Sequence, residues 1–473
     1  MNIKNIIVVL ALAGPLFQSC DKLDQGPTDY IDASKAFRNL EDVNMGVLGA
    51  YASLTSGWIE PVAIVADEAM LPTENTVSNT SSYRWIYDSS SGSVTSSFYE
   101  LYMPIGRANR ILDAIPKISV AAGDQQLMNQ YHAELLALRA YSHFELLRGY
   151  ASSYDPSGMG VPYMKKYEAV YPPRQSVQSN FEDIFADLIA AKELMPAGFS
   201  ENSRITKTTI TAIQARVSLY AKRWDDAAMF ASEVIAADPL AGRSDFTKVW
   251  KDESQAEVIW RLPRLVGESR VGLSFYRETG DIVLYAPSFK LIEQFGASAN
   301  RNDDVRFASY IKYDPNRPAG KSQYAVDKYT GSKAGYRGLA DIKVFRTGEM
   351  YLIRAEAELE KQANAAGMTA AAKDLNELRA ARILNYINQN FVDRQSLLNA
   401  IYNERFKELA YEGHRFFDLK RRNLPVERTT ADAINAVGAV KLEPTAAQYC
   451  FPIPGEEIKV NKSMEQNPHY GGK

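Results

Sequence analysis

Trp224-Asp225-Asp226-Ala227-Ala228-Met229-Phe230-Ala231-Ser232-Glu233-Val234-Ile235-Ala236-Ala237-Asp238-Pro239 decides the fold class. Its small residues recur at three- and four-residue steps, which places them on one face of a helix. A face of alanines lets a second helix approach closely. Pro239 lacks the amide hydrogen that would continue the helix, so the unit closes there. The segment from Thr206 to Ala221 has the same period and forms a close helical partner.

Outward from this pair the pattern repeats. Helical spacing runs over 97–115, 125–151, 179–194, 347–360, 369–382 and 394–420, with breakers such as Pro156, Pro162 and Pro196 between. The Trp224–Pro239 stretch resembles the second helix of a tetratricopeptide repeat. The candidate pairs are 97–115 with 125–151, 179–194 with 206–221, and 347–360 with 369–382, followed by 394–420. No strict 34-residue period survives. The expected fold is mainly α, a scaffold of about four tetratricopeptide-like helix pairs over roughly 97–239 and 347–422. Roughly 50–96 and 240–345 form an irregular, loop-rich half with a few short strands, such as Glu257–Leu262 and Ile282–Tyr285.

The N-terminus reads as an export signal. Lys4 precedes an uncharged apolar run from Ile6 to Phe17, too short to span a bilayer. Phe17-Gln18-Ser19-Cys20 resembles a bacterial lipobox, although Phe17 stands where Leu is usual. The expectation is a signal over 1–19, a lipid on Cys20, a polar tether over 20–32, and a single body over 33–473. Of the chain's 2 cysteines only Cys450 then remains, in an apolar setting that suits a buried, inert thiol. The 473 residues suffice for a large core, and a net charge of −3 argues against a nucleic-acid partner.

No catalytic constellation is present in the sequence. His132, His143, His414 and His469 are scattered, and no zinc or phosphate-loop motif appears. Asp67-Glu68 offers adjacent carboxylates, but glycoside hydrolysis needs two held several Å apart across a sugar. The expectation is a binding protein, not an enzyme, with no cofactor and no metal.

Sugar recognition wants aromatic rings for C–H faces beside directed polar groups for hydroxyls. Tyr83-Arg84-Trp85-Ile86-Tyr87 supplies both in one stretch, near Asn75 and Asn79. Read as an extended strand, it turns Tyr83, Trp85 and Tyr87 to one side. Trp58 is a second candidate, with Asp67 near it in sequence.

Four further segments, in order, resemble the SusD/RagB family of outer-membrane nutrient-binding lipoproteins. They are Ala133–Tyr150, Tyr351–Ala357, Asn403–Arg421, and Phe451–Ile458 with Gln466-Asn467-Pro468. The resemblance implies a helix-pair scaffold and a more irregular half that carries the ligand surface. It implies ligand-contacting aromatics from the N-terminal region and from the irregular middle, where Tyr276 and Tyr285 stand. It also implies a partner, a SusC-like TonB-dependent outer-membrane transporter, and an oligosaccharide ligand. A peptide ligand, or a purely structural cap of the transporter, is the alternative. Glu404, Arg405, Glu408, Glu412, Arg415, Asp418 and Arg421 are read as one helix whose charges pair along a face and knit helices together, and Arg354 and Glu356 are read the same way.

Overall fold

The structure, a computed structural model, describes residues 36–362 and 364–470. The signal, Cys20 and the tether to residue 32 lie outside the described residues. The principal helices are α1 (Leu40–Tyr51), α2 (Ile59–Val65), α3 (Gly92–Leu112), α4 (Gln125–Tyr150), α5 (Val177–Leu194), α6 (Lys207–Tyr220), α7 (Trp224–Ala237), α8 (Thr347–Lys361), α9 (Ala365–Ala380), α10 (Arg394–Glu408) and α11 (Arg415–Lys420). Local chemistry sets their ends. The side chains of Asn39, Ser176 and Thr206 each accept an amide hydrogen bond at the start of α1, α5 and α6, and Asp393 with Ser396 forms a reciprocal capping box on α10.

The helices from α3 to α10 form the helix-pair scaffold. α3 packs on α4, α6 on α7, and α8 on α9. Ala227, Ala228 and Ala231 of α7 are buried, so the small face read from the sequence is the face its neighbours cover. Two neighbour relations differ from the expectation. α5 packs far more extensively on α4 than on α6, and α8, from the other end of the sequence, closes against α7. α4 is buried almost all round, and the alanine-rich face of α7 meets both α6 and α8, so the helices form a continuous stack.

The expected helix over 394–420 is two helices. α10 stops at Glu408, Tyr411 and Gly413 take φ of 64° and 77°, and α11 starts at Arg415. Trp58 packs closely against the break, where a Cβ on Gly413 would lie 2.9 Å from that of Trp58. The left-handed backbone and the close approach both call for glycine there.

The strands form two-stranded antiparallel ladders: β1 (Ala69–Met70) with β5 (Ala286–Pro287), β2 (Val258–Leu262) with β8 (Ile342–Arg346), β3 (Tyr276–Arg277) with β4 (Ile282–Val283), β6 (Ile311–Tyr313) with β7 (Tyr324–Val326), and β9 (Val426–Glu427) with β10 (Lys441–Leu442). β8 runs directly into α8, so the β2–β8 ladder joins the irregular half to the scaffold.

A buried ion network locks this junction. Glu408 accepts from Arg306 at 2.9 Å, Arg346 at 2.9 Å and Arg382 at 3.0 Å. Glu257 pairs with both Arg346 and Arg382, and Glu412 pairs with Arg346. The expected pairing along one helix is thereby corrected. Glu408 bonds to three segments outside its helix, and Arg415, beyond the break, pairs with Asp67. Arg405 pairs with Asp418, Glu356 with Arg421, and Arg354 with Asp374.

Candidate ligand-binding surface

Most of the aromatic residues proposed from the N-terminal sequence are core. The Tyr83–Tyr87 segment is not extended: Thr80–Tyr83 is a helical turn and Trp85 takes φ of 54°. All three rings are nevertheless buried. Trp85 is 9% exposed and donates through Nε1 to Val65 O at 2.9 Å. The Tyr83 hydroxyl donates to Asp432 O at 2.8 Å, and that of Tyr87 donates to Gln448 O. The Arg428 guanidinium sits over both Tyr83 and Trp85. Arg84 is half-buried and donates to Asn435 O at 3.1 Å. Each indole or phenol thus has a backbone acceptor inside the protein, the usual arrangement for a buried polar aromatic.

Trp58 is buried among Tyr150, Phe417 and Phe451, with Nε1 donating to Glu145 O at 3.2 Å. Asp67 is buried between Arg415 at 2.6 Å and Lys290 at 2.7 Å. Burial alone would raise its pKa, but these two cations outweigh it and hold the carboxyl well below its usual range. Its neighbour Glu68 accepts from Tyr411 N at 3.1 Å, and burial pushes its pKa up to about 8. His143 is likewise internal. Its Nε2 accepts from Met164 N, so Nδ1 carries the proton and donates to Arg139 O, and burial lowers its pKa to about 3.

Asn75 and Tyr285 serve as positioners. Asn75 Nδ2 donates to Leu284 O at 2.8 Å and Tyr285 donates to Ser78 O at 2.7 Å, fastening the 72–80 loop to the end of β4. Glu60 accepts from Asn79 and Ser274, both at 2.7 Å. Glu74 accepts from Ser322 N at 2.9 Å and Arg317 at 3.2 Å, bringing in the tip of the β6–β7 hairpin. Three loops that are distant in sequence meet here.

Tyr276 stands at this meeting point, partly exposed. Its hydroxyl donates to Asp281 at 2.6 Å across the β3–β4 turn, and the Arg337 guanidinium lies 3.6 Å from its ring centre. Arg317 and Lys321 reach the Asp281 carbonyl at 2.6 and 2.7 Å. The hydrogen bond from Tyr276 is the main reason Asp281 sits below its ordinary pKa. A planar Tyr–Arg stack beside a carboxylate offers an apolar face together with polyol partners.

The base of the β6–β7 hairpin carries a second feature, which the sequence reading missed. Tyr313 and Tyr324 are directly opposed in the ladder, with ring centres 4.8 Å apart. Tyr313 is 49% exposed. The pair walls a groove of about 500 Å³ whose polar side chains include Arg301, Asn302, Lys312 and Asp327. Aromatic rings beside amide, carboxylate and cationic groups are the combination expected at residues 83–87, where the rings are buried; here the Tyr313 ring is exposed. No group of His, Cys, Asp and Glu among the described residues is arranged to hold a metal ion.

The SusD family model matches residues 319–470, and a second model, described as starch-binding associating with outer membrane, matches residues 49–219. SusD-like protein P2 of Formosa agariphila is 24% identical over 98% of each chain, and SusD-like protein P38 of the same organism is 22% identical over 99% of each. A SusD superfamily protein from Bacteroides vulgatus superposes with a TM-score of 0.79 at 25% identity, covering 92% of this chain and 100% of that one. A laminarin-binding SusD-like protein shares the fold at 18% identity, with a TM-score of 0.70 over 92% of this chain and 100% of its own. The two models fall on the early scaffold and on the C-terminal network, the relatives span the chain almost end to end, and the chain belongs to the SusD family.

Proposed function

We propose that the protein is a non-catalytic, surface-exposed outer-membrane lipoprotein that captures oligosaccharides and passes them to a SusC-like TonB-dependent transporter. The observation that carries the ligand class is the groove beneath Tyr313 and Tyr324, where an exposed Tyr313 ring, tilted against a half-buried Tyr324, meets Asn, Asp and Arg side chains. Tyr276 with Arg337 adds a second aromatic contact. A sugar chain suits such a surface because its rings alternate apolar faces with hydroxyl edges. The laminarin ligand of one structural neighbour makes β-glucan fragments sensible first probes. A screen of the mature chain against laminarin, starch and other neutral oligosaccharides, beside a pool of short peptides, tests the ligand class. Binding to a glycan is expected; binding confined to peptides would replace this reading with a peptide-capturing one.

The anchor rests on the Phe17–Cys20 lipobox, and no described helix is long and apolar enough to cross a membrane. Cys20→Ser should move the protein from the membrane fraction to the soluble fraction of fractionated cells. An unchanged membrane fraction would remove lipid as the tether. Display outside the cell and the transporter partner rest on family membership.

A further inference from the structure

A pocket of about 430 Å³ opens in the scaffold, far in sequence from the tyrosine groove, between the α6–α7 turn, α8, α10 and the end of α11. Trp224 and Tyr402 form its aromatic walls. Its carboxylates already have partners. Glu356 is held by Arg421, and Glu360 accepts from Arg394 at 2.5 Å. Its remaining cations do not. Arg422, with its guanidinium over the Tyr402 ring, and Lys222, in a left-handed turn at φ of 56°, make no side-chain hydrogen bond or ion pair among the described residues. Burial, with the Arg421 charge beside it, lowers the pKa of Arg422 to about 10. Fork-shaped guanidinium groups are matched by planar oxyanions, above all carboxylates.

We propose that this pocket is a second ligand site and that it takes a carboxylate, seated between Arg422 and Lys222, with the body of the ligand against Trp224 and Tyr402. Two sources supply this chemistry, an acidic sugar and the C-terminus of a peptide. Calorimetry at low ionic strength with two matched probe pairs separates them: trigalacturonate against its methyl ester, and a hexapeptide with a free C-terminus against its amide. One acid probe should bind at least tenfold more tightly than its neutral partner. Arg422→Met should abolish that preference in a folded protein, because the Arg422 side chain makes no hydrogen bond or ion pair among the described residues and a methionine keeps an apolar contact on the Tyr402 ring, and Arg422→Lys should restore part of it. Addition of salt should weaken the acid probe alone. Equal binding of acid and neutral probes, no binding of either acid, or an unaltered preference in Arg422→Met would overturn the proposal.

Discussion

Glu68 lies wholly buried beside an ionised Asp67, and one of its two oxygens has no partner. Asp67 remains charged because Arg415 and Lys290 reach it; Glu68 has only the Tyr411 amide. With its pKa pushed from the usual value near 4.5 up to about 8, Glu68 is protonated in the folded protein at neutral pH and ionised in the unfolded chain. The sign follows directly. A group whose folded pKa is raised contributes stability that is complete below about pH 4.5 and is lost as pH rises through about 8. Glu68→Gln keeps an oxygen for Tyr411 and removes the titration. It should flatten the decline in denaturation midpoint between pH 5 and pH 8. A parallel decline in variant and wild type would show that Glu68 is not the responsible group. The pair was visible in the sequence as adjacent carboxylates, but their contrasting states depend on cations from 290 and 415, which sequence distance conceals.

The break between α10 and α11 places Glu408 at the last turn of a helix, facing Arg306, Arg346 and Arg382. These come from the irregular half, the β8–α8 junction and the end of α9, so one carboxylate ties three elements to a fourth. Glu408→Gln leaves three buried guanidinium groups short of a counter-charge, and losing one partner of a buried ion pair costs about 3–5 kcal/mol. Denaturant unfolding should register that loss, and a change under about 1 kcal/mol would show the network to be redundant. The helices themselves were legible because period and capping are local: Ala227, Ala228 and Ala231 are buried as their spacing demands. The break before Gly413 was not, since Glu404 to Arg421 keeps helical spacing, and the left-handed turn at Tyr411 and Gly413 shows its purpose only where Trp58 packs against it. The inward turn of Tyr83, Trp85 and Tyr87 was missed for a related reason. Alternation would set the rings on one side of a strand, but the segment is a helical turn with Trp85 left-handed, and backbone acceptors at 65, 432 and 448 draw all three rings inside. Tyr313 and Tyr324 had a local signal that went unused. They flank Asp314-Pro315-Asn316 and Pro318-Ala319-Gly320, turn chemistry that folds a hairpin and sets the two rings opposite each other.

Across the whole molecule, a helix-pair stack supports loops that carry the exposed aromatic surface, and the buried ion network fixes one to the other. The division suits the proposed capture: the scaffold holds its shape, and a ligand would meet rings and polar groups already in place. Tyr313 tests this most directly, because its ring is half exposed and its removal disturbs little core. With the oligosaccharide that binds best in the glycan screen, calorimetry should give Tyr313→Ala an affinity about 3- to 10-fold below wild type, the loss of one stacked ring. Tyr313→Ala combined with Tyr324→Ala should bind more weakly still, with the helical circular dichroism of the wild type retained and a lower melting temperature, since Tyr324 also packs on Phe289. Full affinity in the folded double variant would contradict the groove as the site of capture.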